Sequence, residues 1–155
     1  MKTDNRLSRM LHVLLHMARH DQPFTSEQIA KMLTTNPVVV RRTMVGLREA
    51  GYVKSERGRG GGWILACDLA EITLLDIRRA VGGWQMFATE DGESPPSCAV
   101  ERVVNAALDD TLRQAEALLV EKLAAVTLAD LLADFDAYCR AEGWGIDGPK
   151  TEQAT

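Results

Sequence analysis

Cysteine is scarce in this chain: Cys67, Cys98 and Cys139 stand far apart among 155 residues and form no CxxC pair. A structural disulfide is therefore not expected, nor a metal held by paired thiols. Long apolar runs are missing too. None approaches the roughly 20 residues that a membrane-spanning helix needs, so no membrane partner is expected. The N-terminus, MKTDNRLSRMLHVLLHMARH, breaks its apolar pattern with charges and histidines, which is not how a secretion signal reads. These absences predict a cytoplasmic protein. Paired carboxylates, a nucleophile elbow and a metal-ligand cluster at useful spacing are also lacking, and an enzyme is discounted.

An overall excess of positive charge is the remaining absence, with a formal net charge of −4. That figure conceals a division. Residues 1–66 carry 11 Lys and Arg against 5 Asp and Glu, a net of +6. Residues 67–155 carry 7 against 17, a net of −10. A basic first half joined to an acidic second half suits a nucleic-acid-binding end attached to an end that binds something else.

What is present is a run of helical patterns around one basic hairpin. Leu7, Leu11, Leu14, Leu15 and Ala18 make an apolar stripe that predicts a helix over 5–20. Asp21-Gln22-Pro23 ends it, and Thr25 to Gln28 fits a capping box that opens a second helix to about Leu33. Thr34-Thr35-Asn36 then reads as a three-residue turn into a third helix, with Asn36 as cap and Pro37 in the first turn. Two short helices joined by such a turn are the helix-turn-helix pattern. In the third helix Val40, Met44 and Leu47 face inward, and Gly51 fits a left-handed stop. A strand over Tyr52–Glu56, a turn of arginines and glycines over 57–62 and a returning strand over Trp63–Ala66 form a wing.

Thr73 caps another helix, which ends near Gly82-Gly83. Residues 84–97 read as a loop. A pattern of about 28 residues from Cys98 onward, with Val100, Val104, Ala107, Leu108, Leu112, Ala115, Leu119, Leu123 and Val126 on one face, predicts a helix of about 40 Å. That face suits a dimer seam, with folding back onto the chain's own core as the competing arrangement. Thr127-Leu128-Ala129-Asp130 repeats the Thr-Leu-x-Asp start at residue 73 and opens a last helix. The expected fold is mainly α with a small β-hairpin wing. It divides into a winged helix-turn-helix domain over 1–82, a loop over 83–97, dimerisation helices over 98–142 and a tail over 143–155.

The major groove of DNA admits one helix and displays distinct base edges. Thr34, Thr35 and Asn36 offer hydroxyl, amide and backbone donors at a helix start. Arg41 is the candidate base reader, for guanine by a bidentate contact. Arg42 and Arg48 suit phosphates. In the wing, Gly58, Gly60, Gly61 and Gly62 permit a tight turn and close approach, and Arg57 and Arg59 suit a narrow minor groove. With Val38, these make the candidate DNA-contacting set: Thr34, Thr35, Asn36, Val38, Arg41, Arg42, Arg48, Arg57, Arg59 and Gly60. A phosphate-binding P-loop is rejected, because such a loop opens into a helix and this one enters a strand.

The segments TSEQIAKML, NPVVVRRTMVGLREAGYVKSERGRGGGWILA, ITLLDIRRAV and CAVERVVNAALDDTLRQAEALL with VTLADL resemble the Rrf2 family of bacterial winged-helix regulators over about residues 5–132. The resemblance implies a homodimer built on a long crossing helix. It places Asn36 and Arg41 toward the groove and matches Arg57 to the family's wing arginine. The best-known sensors of that family hold an iron–sulfur cluster through three loop cysteines. Here the loop keeps only Cys98, with Met86 and Gly92 near the other two positions, so no cofactor is expected. His12 and His16, four apart, are the other candidate ligands. Cys98, at a helix start, is a candidate sensor thiol, against the plainer alternative of a buried, inert residue. Cys67 and Cys139 read as packing residues. Trp63, Trp84 and Phe87 either line an effector pocket or fill the core.

The expected function is a homodimeric, sequence-specific repressor that binds double-stranded DNA, redox-responsive through Cys98. The alternative is a winged helix that binds another protein and has lost DNA.

Overall fold

A computed structural model describes residues 5–82 and 98–144. Six helices and one hairpin follow in order: α1 (Asn5–Arg19), α2 (Ser26–Met32), α3 (Pro37–Glu49), β1 (Val53–Glu56), β2 (Gly62–Leu65), α4 (Leu74–Val81), α5 (Ala99–Ala124) and α6 (Leu128–Ala141). The two strands are antiparallel, with Val53 opposite Leu65 and Glu56 opposite Gly62. The architecture is thus mainly helical with a two-stranded wing. The first strand begins one residue later than expected and ends at Glu56 as expected, and the second is shifted one residue toward the N-terminus.

The helix boundaries follow from local chemistry. At α2 the Thr25 hydroxyl accepts from the Gln28 N–H and the Gln28 side chain accepts from the Thr25 N–H, closing a reciprocal cap. At α3 the Asn36 Oδ1 accepts from the Val38 N–H at 2.8 Å, and Pro37 sits where no N–H is needed. Both helices stop on a left-handed residue. After α2 it is Thr34 at φ 50°, with the Thr35 N–H donating back to the Ala30 carbonyl at 2.9 Å. After α3 it is Gly51 at φ 83°, with the Tyr52 N–H donating to Leu47 at 2.9 Å. A threonine pays in backbone strain for a conformation that glycine adopts freely.

The core is built from α1, α2 and α3 and closed by the wing and α4. Val13, Leu14, Ile29, Val40, Met44, Leu47, Val53, Ile77 and Leu128 are all essentially inaccessible. On α1 the buried stripe is Met10, Val13, Leu14 and Met17, rather than the five residues expected. Leu7 and Leu11 pack against it from one side, while Leu15 and Ala18 are half-buried. The buried face shares only Leu14 with the expected stripe and takes in Val13 and two methionines, whose pliant side chains fill this interior.

The repeated Thr-Leu-x-Asp motifs meet in space. Thr73 and Thr127 face one another across an isolated antiparallel bridge, with the Leu74 N–H donating to Val126 at 3.0 Å and the Leu128 N–H donating to Ile72 at 2.9 Å. Each threonine caps its own helix through the aspartate three residues on. The bridge brings α6 back to the winged helix. Leu128 enters the core, and Arg19 of α1 reaches across to α6, with Asp136 at 3.1 Å and the Phe135 ring 4.8 Å below its guanidinium. Residues 98–142 therefore pack in two different ways. Helix α6 joins the winged helix, whereas α5 has no buried residue at all.

Gly46 marks the tightest approach between helices. A Cβ added there would lie 2.2 Å from the Ala80 carbonyl oxygen of α4. Alanine favours helix over glycine by about 1 kcal/mol, but overpacking against a backbone oxygen costs about 1–3 kcal/mol. Gly46→Ala should lower unfolding stability in urea. A midpoint equal to or above wild type would mean that α3 and α4 separate without strain.

Candidate nucleic-acid interface

Helix α3 turns by about 100° per residue, so burying Val40, Met44 and Leu47 fixes what the other directions hold. Directly opposite stand Val38, Arg42 and Glu49, all exposed. Val38 and Val39 are large apolar residues left 60% and 53% accessible at the start of a helix. Gly46 lies on the flank against α4. Arg41 and Arg48 lie on the other flank, and Arg41 reaches α2, where its Nη2 donates to Glu27 Oε1 at 2.5 Å.

At the turn the expected donors are only partly free. The N–H groups of Thr34 and Thr35 are spent on Lys31 and Ala30 in ending α2, and the Asn36 carbonyl oxygen is spent on capping α3. What this corner presents is the two threonine side chains and the Asn36 amide nitrogen. The backbone contribution expected from Thr34 and Thr35 is thus corrected: a helix that must stop needs those N–H groups more than a ligand does.

The wing presents Arg57, Gly58, Arg59 and Gly60, all exposed. Gly58 and Gly60 take φ of 99° and 82°, and the Gly61 N–H donates to Gly58 at 3.0 Å to close the turn. A Cβ on Gly61 would meet the Glu56 carbonyl oxygen at 2.3 Å. The glycines are thus required by the hairpin itself, whatever it touches.

Trp63 holds the wing in place. It is 8% accessible, so it belongs to the core, and its Nε1 donates to Ser26 Oγ at 3.0 Å. Its backbone also pairs in both directions with Phe24, at 3.0 and 2.8 Å. A cleft of about 330 Å3 runs between α2, α3 and the wing, and Glu27, Arg41, Glu56, Gly58 and Gly61 are among the residues that line it. Helix α3 and the wing therefore flank one surface, and the candidate residues Arg41 and Gly58 reach the same cleft. Ser26, Glu27, Phe24 and Gly46 were not singled out from the sequence. Only Gly46 carried a signal there, as a glycine inside a helical pattern.

The thiols occupy three different settings. Cys98 is exposed at the N-cap of α5 and makes no capping hydrogen bond in its neutral form. The N–H groups of Glu101 and then Val100 point toward its sulfur and lower its pKa. Cys67 is pushed up by burial. Cys139 is buried, with Arg19 Nη1 3.7 Å from its sulfur. The His12 and His16 rings lie 4.8 Å apart, tilted by 50°, and His20 lies nearly parallel to His16 at 6.5 Å. Among the described residues no group of three His, Cys, Asp or Glu is placed to hold a metal ion. The chain has a single cysteine between 68 and 138, so its donors do not fit a three-thiolate cluster near Cys98. Met86, Gly92, Trp84 and Phe87 lie outside the described residues.

Comparison with known proteins agrees with this geometry. The family model for Rrf2, described as an iron-dependent transcriptional regulator, matches residues 3–134. A Bacillus subtilis protein provisionally named an HTH-type transcriptional regulator, YwnA, is 34% identical over 130 residues, covering 83% of this chain and 96% of that protein. A solved structure provisionally described as a DNA-binding protein is 33% identical, with a TM-score of 0.60 over 79% of this chain and 97% of that one. A Lactobacillus plantarum structure, provisionally described as a transcriptional regulator, superposes with a TM-score of 0.70 over 91% and 96% of the two chains. At 24% identity it speaks for the fold alone. Among the described residues no helix is long and apolar enough to cross a membrane. The helix-turn-helix, the wing and a family match over most of the chain lead to one conclusion: this chain belongs to the Rrf2 family of DNA-binding transcriptional regulators, and its relatives are not enzymes.

Proposed function

We propose that the protein is a homodimeric, sequence-specific repressor of the cytoplasm that grips duplex DNA with α3 and the wing. The observation that carries the reading is the shared surface: Arg41 of α3 and Gly58 of the wing line one cleft, with Arg42 and the wing arginines exposed around it. In this reading Asn36 and Arg41 enter the major groove, and Arg41 takes a guanine edge. Val38 lies against a thymine methyl, the apolar mark of that groove. Arg42 and Arg48 hold phosphates, with Thr34 and Thr35 at the helix start. Arg57, Arg59 and Gly60 follow the minor groove, where narrow tracts concentrate negative potential.

The dimer rests on α5. Its 26 residues span about 39 Å, and Val100, Val103, Val104, Leu108 and Leu118 are 49–71% accessible. Soluble chains rarely leave such a row in water, and a second copy of the same helix covers it. Paired half-sites in DNA are the natural counterpart of a two-fold protein. The reading includes no iron–sulfur cluster. Cys98, at the start of that helix, is instead proposed as a redox-sensitive thiol, since the thiolate is the reactive form.

Gel shifts against DNA upstream of its own operon should show binding that weakens steeply with salt. Arg41→Ala should lose about 1–3 kcal/mol of discrimination at one base pair, and Arg57→Ala should weaken all sequences alike. Salt-insensitive binding, or no binding, would favour a protein-docking role instead. Val104→Asp with Leu108→Asp should halve the mass seen by light scattering, and an unchanged mass would remove α5 from the dimer seam. Alkylation followed against pH by mass spectrometry should label Cys98 at lower pH than an ordinary thiol and Cys67 only at higher pH. Cys98 labelling no earlier than Cys67 would end its case as a sensor.

A further inference from the structure

The ion pair between Glu27 and Arg41 sets a carboxylate on a surface meant for a polyanion. We propose that Glu27 is a positioning residue for base reading: it aims the Arg41 guanidinium and excludes phosphate from that spot, and so contributes discrimination at the expense of raw affinity. The inference rests on the DNA-reading role given to Arg41 above.

The pair is well placed to orient and poorly placed to stabilise. Its side chains are 56% and 62% accessible, and exposed pairs contribute little to folding. Glu27 is nevertheless held in position from both sides. Ser26 before it accepts the Trp63 indole N–H, and Gln28 after it closes the cap on Thr25. Its backbone is thereby fixed to the wing and to the start of α2. Arg41 has a long side chain with many rotamers, and a carboxylate carried on a held backbone favours those that meet it. One of its five N–H donors is spent on Glu27, and the other four remain to address a base edge. A carboxylate in the first turn of α2 also interacts favourably with the helix dipole. That accounts for an acid at this position, but not for its partner 14 residues away on α3.

Electrostatics point the same way. The cleft between wing and helices holds Glu27 and Glu56 against Arg41, so its charged lining is one negative in net. Phosphates gain nothing there. They are left to the exposed Arg42 and Arg48 of α3. A free arginine would accept any nearby phosphate, whereas one already neutralised responds to the shape of a base edge.

The test compares full-length wild type, Glu27→Gln, Arg41→Ala and the double variant. Anisotropy titrations would use the bound site, each single-base replacement of it and an unrelated duplex. Glu27→Gln should bind the unrelated duplex about two- to fivefold more tightly, from one less repelling charge. It should also lose about tenfold in discrimination at the same base pair that Arg41→Ala flattens, part of what a bidentate contact supplies. In the Arg41→Ala background Glu27→Gln should change discrimination no further. A uniform gain across all duplexes, or a lost preference at a different base pair, overturns the role of Glu27 while leaving Arg41 a reader. A wild type that binds every duplex alike overturns the DNA-reading assignment itself, and this inference with it.

Discussion

Much of the candidate interface depends on how Trp63 is held. A two-stranded hairpin with four-residue strands is not stable by itself in water. Here it is anchored three ways: by the buried indole, by its hydrogen bond to Ser26 and by the paired backbone bonds to Phe24. Ser26 and Phe24 belong to the start of α2 and the stretch before it. The wing and the helix-turn-helix are thus bolted at one place, and their relative orientation is set there rather than by the glycine-rich tip. Gly62 completes the joint, since a Cβ there would lie 2.6 Å from the Phe24 carbonyl oxygen.

Most of the fold was legible because each boundary carried its own local chemistry. Thr25, Asn36, Thr73 and Thr127 all cap where the side-chain pattern says they should, and Gly51 stops α3. The inward face of α3 was legible from spacing alone. Less legible was everything that depends on a neighbour distant in sequence. The pairing of Thr73 with Thr127, the return of α6 to Arg19 and the closeness of Gly46 to Ala80 join residues that no window of sequence contains. The candidate surface shows the same limit. Periodicity puts Arg41 off the buried face, yet Glu27 reaches it only because α2 and α3 cross at a turn of particular geometry. The donors of Thr34 and Thr35 looked available because sequence displays groups without displaying their partners.

The chain also separates two kinds of apolar surface. Helices α1 to α4, the wing and the first turn of α6 share a closed interior. Helix α5 shares in none of it, although it is the longest element and 15 of its 26 residues are apolar. Helices α5 and α6 carry 8 Asp and Glu against 4 Lys and Arg, whereas α3 and the wing present a basic surface. Helix α5 therefore combines an acidic balance with an apolar face outside the shared interior, and is the part that would meet another protein, while α3 and the wing would meet phosphate.

Helix α5 can finally be viewed as a lever. Its C-terminal end is fixed, because Val126 and Leu128, just beyond it, hydrogen-bond to the segment that leads into α4, and Leu128 is sunk in the core. Its other end, at Cys98, stands about 39 Å away with no buried residue along the shaft. On an arm of that length a tilt of about 5° at Thr127 moves the far end by about 3 Å. The relation also works in reverse. A displacement of a few ångströms imposed near Cys98 on a rigid helix would turn its fixed end, beside α4, by a few degrees.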